Sequence, residues 1–279
     1  MKGMVVLMNK GMIKKMALFI MTVIVFMSFS ETMLKLQAAS GYFRTETKQL
    51  VIAIDPGHGG EEEGAKYEYN GEEILEKDLN LAIGLYLYDE LTKYENVTVV
   101  LTRDCDTELE PQQRIDIAKA AGADIFISIH NNANAEKPSR GTMVLCDYSQ
   151  YQAPGARTPN NYMVSSFLGQ YVLAGLTGIG LEISTDMDEW GGCNGIVRRP
   201  YSPEGGASST TYYEDGSVAD FYFQLRFTTE AGIPAIIIEH AYISSVDDFN
   251  DFLSSPEKLQ ALAIADADAI AKAYHLVRK

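Results

Sequence analysis

Cysteine is scarce in this 279-residue chain, which carries only Cys105, Cys146 and Cys193. No two of them stand in a CxxC spacing, and their odd number leaves at least one without an intramolecular partner. The sequence therefore favours neither a thiolate zinc site nor a disulfide-dense scaffold. A Cys146–Cys193 bridge stays open, because sequence alone gives the pair no geometry.

Basic residues are also few, with 23 Lys and Arg against 38 Asp and Glu and a formal net charge of −15. A strongly acidic surface repels phosphate backbones, and no basic stripe with interleaved aromatic residues is present. We therefore expect no nucleic acid partner. The hydrophobic fraction of 46% is ample for a core, so disorder is not expected.

The chain begins with the pattern of a secretory signal. Lys10, Lys14 and Lys15 precede an apolar run at 16–29, and small residues follow it. The run is shorter than the roughly 18 residues of a spanning helix, although an uncleaved anchor is the alternative for residues 1–39. We expect export with cleavage near Ala38 or Ala39. Without residues 1–38 the chain carries 18 basic and 37 acidic residues, a net charge of −19.

Apolar runs predict five buried strands, between which the periodicity changes to that of helices. The strands are expected at 50–54, 97–101, 125–129, 142–145 and 235–238, and helices at 79–91, 111–121, 161–176 and from Pro256 onward. Alternation of strand and helix predicts parallel crossover connections. Residues 40–279 then form one α/β domain, with a long insertion at about 184–220 that lacks periodicity.

Only four histidines are present, and two of them follow predicted strands. His58 comes after the first strand across an Asp-Pro-Gly turn, and His130 directly follows the third. Glu239 ends the last strand. Ligands bind outside the carboxyl ends of parallel strands, so these three side chains are expected at one edge of the sheet. Glu76 is a fourth candidate, because it lies on the apolar stripe of the first helix; Glu72 shares that face only if the helix begins earlier.

Two histidines and one carboxylate, with a second carboxylate free, match the ligands of catalytic zinc and its general base. The same ligands also suit iron or manganese. Other interpretations are structural: a hydrogen-bonding histidine at a strand end, or Glu239 as a helix cap or buried ion-pair partner. Glu61–Glu63 are interpreted as solvated loop charges. They would repel a pyrophosphate, which argues against a nucleotide-binding glycine loop after the first strand.

Taken together, these motifs resemble the type 3 family of N-acetylmuramoyl-L-alanine amidases, which are zinc enzymes. The resemblance covers roughly residues 50–275. It rests on DPGHGG from Asp55, EKDLNLAIG from Glu76, LTRD from Leu101 with the later Arg114, FISIHNNA from Phe126, RGT at 140–142 and IPAIIIEHAYISS from Ile233. It implies a single doubly wound α/β domain with a mainly parallel sheet flanked by helices.

The resemblance also implies roles for individual residues. It places the zinc ligands at His58, Glu76 and His130, and the catalytic glutamate at Glu239. Contacts with the substrate are implied for Asn132 and Arg226, which match the family pattern by position. Asn131 and His240 depart from that pattern. On a strand His240 would point to the face opposite Glu239, and it is therefore interpreted as structural.

The implied reaction is cleavage of the amide between N-acetylmuramic acid and L-alanine in peptidoglycan, by an exported enzyme that is secreted or associated with the cell wall. Two alternatives are another zinc hydrolase, such as a carboxypeptidase or a deacetylase, and a non-catalytic wall-binding regulator. A non-catalytic regulator would be expected to have lost a metal ligand or the general base. No separate wall-binding module is recognised, so wall affinity is expected from the cleft or from a regulatory protein partner.

Overall fold

The computed structural model describes residues 49–156, 158, 160–187, 192–201 and 212–279. A mixed sheet organises this part of the chain. The predicted signal or anchor at 1–39 lies outside these residues. The strands are β1 (Leu50–Pro56), β2 (Lys66–Tyr69), β3 (Glu72–Leu75), β4 (Val97–Leu101), β5 (Ile125–Asn132), β6 (Met143–Cys146), β7 (Gly192–Cys193), β8 (Ile196–Val197) and β9 (Ala235–Tyr242).

Six α-helices are described: α1 (Glu76–Leu91), α2 (Pro111–Ala121), α3 (Asn161–Gly178), α4 (Phe223–Glu230), α5 (Val246–Asp248) and α6 (Pro256–Tyr274). A short π-helix covers Phe249–Leu253. The predicted helix stop is confirmed at Gly122, which caps α2 in the left-handed conformation with φ 70°. Among the described residues, no helix has the length and apolar character needed to cross a membrane.

Seven strands pair in the order β4-β1-β5-β9-β6-β8-β7. The pairs β1/β4, β1/β5, β5/β9 and β6/β8 are parallel, whereas β6/β9 and β7/β8 are antiparallel. The predicted mainly parallel sheet is therefore confirmed. β7 and β8 fall inside the predicted insertion at about 184–220, so part of that segment extends the sheet rather than looping away from it.

Helices cover both faces of the sheet. Ala53, Phe126 and Ile237 share a buried core with residues of α2 and α4. Successive residues of a strand point to opposite faces, so Ile52 and Ile238 are directed to the other side. There α1, α3 and α6 pack side by side. Both faces are thus apolar and buried, as parallel strands with crossover helices require.

The hairpin of β2 and β3 was not predicted from the sequence. It pairs Lys66–Tyr69 with Glu72–Leu75 across a turn at Asn70-Gly71, where both residues have positive φ (53° and 83°). An Asn-Gly pair between strand-forming residues is a strong hairpin signal, so the turn could have been found. The hairpin also assigns Glu72 to a strand, and α1 therefore begins at Glu76.

Asp220 anchors residues 212–220 to the chain that follows β6, and the buried Asp147 lies close enough to be affected by its charge. Asp147 follows β6, and Asp220 accepts hydrogen bonds from the Tyr148 amide (2.5 Å) and the Tyr213 hydroxyl (2.6 Å). Burial raises the pKa of both carboxyl groups, and the neighbouring Asp220 charge raises that of Asp147 further. The anchor therefore favours a protonated carboxyl at this position.

As the pH rises, the Asp147→Asn variant is expected to lose less of its free energy of unfolding than the wild type does. A carboxyl whose folded pKa is raised stabilises the fold below its ordinary pKa of 3.8, and this contribution is lost as the pH rises through the folded pKa. Each unit by which the folded pKa exceeds the ordinary value corresponds to about 1.4 kcal/mol of unfolding free energy. Urea unfolding at about pH 5 and about pH 8 measures the difference.

The control for this prediction is Glu214→Gln, which removes the same charge from an exposed position in the same segment. Its free energy of unfolding should follow the wild type at both pH values. If Asp147→Asn loses as much stability as the wild type between the two pH values, the Asp147 carboxyl does not titrate between them, which contradicts this prediction.

All three cysteines are free, with Cys105 and Cys193 exposed and Cys146 buried. The Cys146–Cys193 bridge that the sequence left open is therefore not formed.

Candidate functional site

The ends of β1, β5 and β9 meet the start of α1 at one cleft, which has a volume of about 290 Å³. His58, Glu76, His130, Asn132 and Glu239 all line it. The parallel pairing of β5 and β9 places His130 directly beside Glu239. The residues predicted at the strand ends therefore lie together, and the start of α1 lies beside them.

His58 is held in an unusual backbone conformation by two buried arginines. Its φ is 62°, which a histidine adopts only when its surroundings fix it. Arg114 donates to the carbonyl oxygen of His58 (2.9 Å) and to the carboxylate of Asp55 (2.9 Å), and Arg103 donates to the carbonyl oxygen of Gly57 (2.9 Å). Removing one partner of such a buried ion pair costs about 3–5 kcal/mol, so this loop is strongly determined.

Glu76 lies between the two histidines. One carboxylate oxygen is 3.0 Å from Nε2 of His58, and the other is 2.9 Å from Nδ1 of His130. The backbone amides of Ala65 (2.9 Å) and Asn131 (3.2 Å) also donate to this carboxylate. Burial opposes ionisation of Glu76, yet its hydrogen bonds with the two histidines hold its pKa below the usual range.

Two glycines leave room for these side chains. A Cβ at Gly57 would lie 2.2 Å from Cε1 of the His130 ring, and a Cβ at Gly64 would lie 2.6 Å from the Glu76 carboxylate. Gly64 also has φ +71°, which favours glycine. These two glycines therefore allow the His130 ring and the Glu76 carboxylate to pack against the backbone around His58.

The donor set fits a metal ion. One ligand atom each from His58, Glu76 and His130 lies within 4.8 Å of the others. The two imidazole rings meet edge to face, with centroids 4.8 Å apart. Nε2 of His130 is buried and has no hydrogen-bond partner within the described residues, so an imidazole nitrogen at the cleft is available. Two imidazoles and one carboxylate form a ligand set that catalytic metal sites use.

His58 has polar neighbours that affect its charge. Burial alone lowers the pKa of His58, but hydrogen bonds to Glu76 and Glu62 and the charges of both carboxylates raise it to about 9. Glu62 is exposed, as expected for a solvated loop charge, but its carboxylate also contacts Nδ1 of His58, which the sequence did not predict.

Glu239 is a second carboxylate beside the possible metal site. Burial raises its pKa to about 7; the Glu76 charge adds to this rise, and the neighbouring histidines oppose it. Its Oε2 atom has no hydrogen-bond partner among the residues that the structure describes. A half-buried carboxylate at the cleft whose Oε2 atom is itself buried and unpartnered among the described residues is suited to exchange a proton with a bound molecule.

His240 points away from the cleft, as predicted. Its Nε2 atom is 2.8 Å from Asp266 of α6, and its Nδ1 atom is 3.2 Å from the carbonyl oxygen of His130. The side chain is fully buried. His240 therefore ties β9 and β5 to α6, which confirms its structural interpretation. Asn131 is likewise buried, and its amide donates to Asn80 (2.9 Å).

The profile of the N-acetylmuramoyl-L-alanine amidase family matches residues 52–272. The chain belongs to this family. It is therefore an amidase of the peptidoglycan-cleaving class, and the resemblance inferred from its motifs is confirmed.

Named relatives agree with this assignment. The amidase CwlM of Bacillus licheniformis is 27% identical over 226 residues, covering 81% of this chain and 69% of the relative. The sporulation-specific amidase of Bacillus subtilis is also 27% identical, covering 81% and 68%. The catalytic domain of the amidase CwlV from Bacillus (Paenibacillus) polymyxa var. colistinus superposes with a TM-score of 0.55 at 25% identity, covering 80% of this chain and 97% of that domain.

Two further residues of the amidase cleft were missed from the sequence. Tyr222 and Gln224, at the start of α4, line its wall. Arg226, for which the family resemblance implies a substrate contact, is buried and is not among the residues that line the cleft. Its guanidinium lies 4.7 Å from the ring centroid of Phe223 and 5.3 Å from that of Phe227. The predicted substrate contact of Arg226 stays a prediction.

Proposed function

We propose that this amidase is a zinc-dependent peptidoglycan hydrolase that cleaves the amide between N-acetylmuramic acid and L-alanine. The observation that carries the proposal is the convergence of His58, Glu76 and His130 within 4.8 Å, with Glu239 beside them in the same cleft. Membership of the family supports the class of substrate and bond. The non-catalytic alternative is disfavoured, because such a protein should have lost a metal ligand or the base. The three ligand residues and Glu239 are all present.

His58, Glu76 and His130 would hold the zinc ion. When bound, zinc polarises a carbonyl oxygen and lowers the pKa of a coordinated water to about 7. The protein supplies the fixed positions of these ligands. Asn131 and Ala65 direct their backbone amides at Glu76, so the carboxylate stays oriented between the two imidazoles.

Glu239 is proposed as the general base and acid. Its free carboxylate oxygen would accept a proton from the attacking water and return it to the leaving L-alanine nitrogen. Asn132 also lines the cleft and is proposed to contact the substrate there. Arg226 is likewise proposed to bind the substrate, because it matches the family motif by position; its buried guanidinium packs against Phe223 and Phe227.

Analysis of reaction products tests which bond is cut. The purified full chain is incubated with peptidoglycan, and the released fragments are identified by mass spectrometry. We expect peptides with a new L-alanine amino terminus. Loss of single carboxy-terminal residues would identify a carboxypeptidase, and new glucosamine or muramic acid amines would identify a deacetylase. Either result contradicts the proposed reaction.

Replacing Glu62 by glutamine is expected to weaken zinc binding about tenfold to a hundredfold, because the carboxylate orients His58 through Nδ1. Competition with a chromophoric chelator measures this affinity independently of turnover. Glu61→Gln is the matched control, since this neighbouring glutamate is also exposed. Equal zinc affinity of the Glu62 variant and the control would show that Glu62 does not orient the ligand.

We also propose that the chain is exported by its N-terminal segment, 1–39, and acts at the cell wall. The basic, apolar and small-residue order of that segment supports this proposal. Mass spectrometry of the protein recovered outside the cell tests it. An amino terminus near Ala38 or Ala39 is expected for a cleaved signal, whereas retention of residues 16–29 would indicate an anchor. Absence of the protein outside the membrane would contradict export.

Peptidoglycan is the proposed partner of the cleft, and wall affinity is proposed to come from the cleft itself or from a regulatory protein. Sedimentation of the purified full chain with cell walls distinguishes these two sources. Co-sedimentation indicates that the cleft suffices. A chain that stays in solution until cell extract is added would indicate that a protein partner is required.

A further inference from the structure

A buried lysine directly follows Glu76, one of the proposed zinc ligands. Lys77 is 8% exposed and lies in the first turn of α1. A cation is disfavoured there for two reasons, because burial removes its hydration and the N-terminal end of a helix carries a partial positive charge. Lysine is almost never so buried unless it is paired. The contacts of Lys77 therefore have to offset both costs.

These contacts hold the backbone of Gly60 on two sides. Nζ of Lys77 donates to the carbonyl oxygen of Gly60 (2.9 Å), and the amide of Gly60 donates to the carboxylate of Asp106 (2.7 Å). The two side chains are joined by an ion pair of 2.8 Å. Lys77, Gly60 and Asp106 thus form a closed ring of three contacts, which we call the lysine clamp.

The lysine clamp fixes the turn that follows His58. Gly59 and Glu62 exchange two backbone hydrogen bonds (2.7 and 3.2 Å), and this turn brings the Glu62 carboxylate to Nδ1 of His58. The chain after β4 lies directly behind the turn, since a Cβ at Gly59 would lie 2.2 Å from the carbonyl oxygen of Thr107. The turn is therefore held between that chain and the start of α1.

The start of α1 also holds the other end of this loop. The amide of Glu76 donates to the carbonyl oxygen of Ala65 (2.9 Å), and the amide of Lys77 donates to that of Glu63 (3.2 Å). The chain between the two proposed zinc ligands His58 and Glu76 is thus attached to α1 at both of its ends. The lysine clamp is the attachment nearer to His58.

We propose that Lys77 is a positioning residue of the zinc site, which orients the imidazole of His58 through the lysine clamp and Glu62. This inference rests on the proposed function, because it takes His58 to bind zinc. Replacing a residue that orients a metal ligand lowers metal affinity about tenfold to a hundredfold. A lysine that only stabilised the fold would leave the zinc affinity of the folded protein unchanged.

The test measures the zinc affinity of the folded full chain by competition with a chromophoric chelator. Lys77→Met removes the charge but keeps an unbranched side chain, and it is expected to bind zinc about tenfold or more weakly than the wild type. Lys77→Arg should restore part of the affinity, because it keeps a charged donor. Asp106→Ala should weaken zinc binding in the same direction. Because Asp106 is exposed, this variant tests the clamp even where a variant at the buried Lys77 does not fold.

A double-mutant cycle tests the route from Lys77 to the imidazole. If Lys77 acts through Glu62, the combined Lys77→Met and Glu62→Gln variant should lose less affinity than the product of the two single losses. Losses that multiply would show two independent effects and would overturn this route. Lys66→Met is the matched control, because Lys66 is an exposed lysine of β2 that pairs with Glu63. It removes the same charge and should bind zinc as the wild type does.

Zinc affinity separates failure of the lysine clamp from failure of the proposed function, because it does not depend on turnover. If the wild type binds zinc but leaves the muramoyl amide uncut, the proposed reaction fails and the affinities still decide the clamp. If Lys77→Met and Asp106→Ala bind zinc as tightly as Lys66→Met, the clamp is rejected and the reaction stands. A wild type that binds no zinc overturns both.

Discussion

Replacing Glu239 by alanine is expected to lower kcat about 100-fold to 10,000-fold while leaving one zinc ion bound per chain. The range is the usual contribution of a positioned general acid or base. Glu239 contributes no atom to the group formed by His58, Glu76 and His130, so zinc binding should survive. Metal analysis of the purified variant and its rate on a muramoyl peptide provide the two measurements.

Two further variants make this result specific. Glu239→Gln keeps the size of the side chain but cannot accept a proton, so it should be as inactive as the alanine variant. Glu230→Gln removes the same charge from an exposed site at the end of α4 and should retain full activity. Normal cleavage by either Glu239 variant, or loss of zinc from them, would contradict the role of Glu239.

Replacing His130 by alanine is expected to remove both zinc and activity. Within the part of the chain that the structure describes, three side chains form the ligand group, so the two that remain should hold zinc far more weakly. The activity should then fall to that of the chelated wild type. Addition of excess zinc should restore little, because the missing imidazole also orients Glu76 at 2.9 Å. Metal content and rate are measured on the same preparation.

His275→Ala is the matched control for this variant. His275 is exposed at the C-terminal end of α6 and should retain both zinc and activity when replaced. A His130 variant with full zinc content would remove His130 from the ligand set. A variant that loses activity but binds zinc normally would instead indicate a role in the substrate cleft.

The place of the site follows from the strands and could be predicted. His58, His130 and Glu239 each stand where an apolar run ends, and parallel strands bring such ends to one edge. Glu76 could be chosen over Glu72 because it continues the apolar stripe of α1, which begins at Glu76 in the structure. These are consequences of periodicity, which a sequence displays directly.

The walls of the cleft could not be predicted in the same way. Tyr222 and Gln224 reach the cleft from the start of α4, and no repeat in the sequence encodes this position. Glu62 meets His58 across a turn that backbone hydrogen bonds between Gly59 and Glu62 close, which periodicity does not reveal. Arg226 matches the family by position, but its burial among aromatic rings depends on Phe223 and Phe227, which the motif does not specify.

The central claim is that one zinc ion held by His58, Glu76 and His130 enables cleavage of the muramoyl–L-alanine amide. The most direct test titrates zinc into the metal-free full chain and follows the release of peptides that begin with L-alanine. The account predicts no release without metal and a linear rise that ends at one zinc per chain. Undiminished release by the metal-free protein, or zinc-saturated protein that cuts another bond, would contradict it.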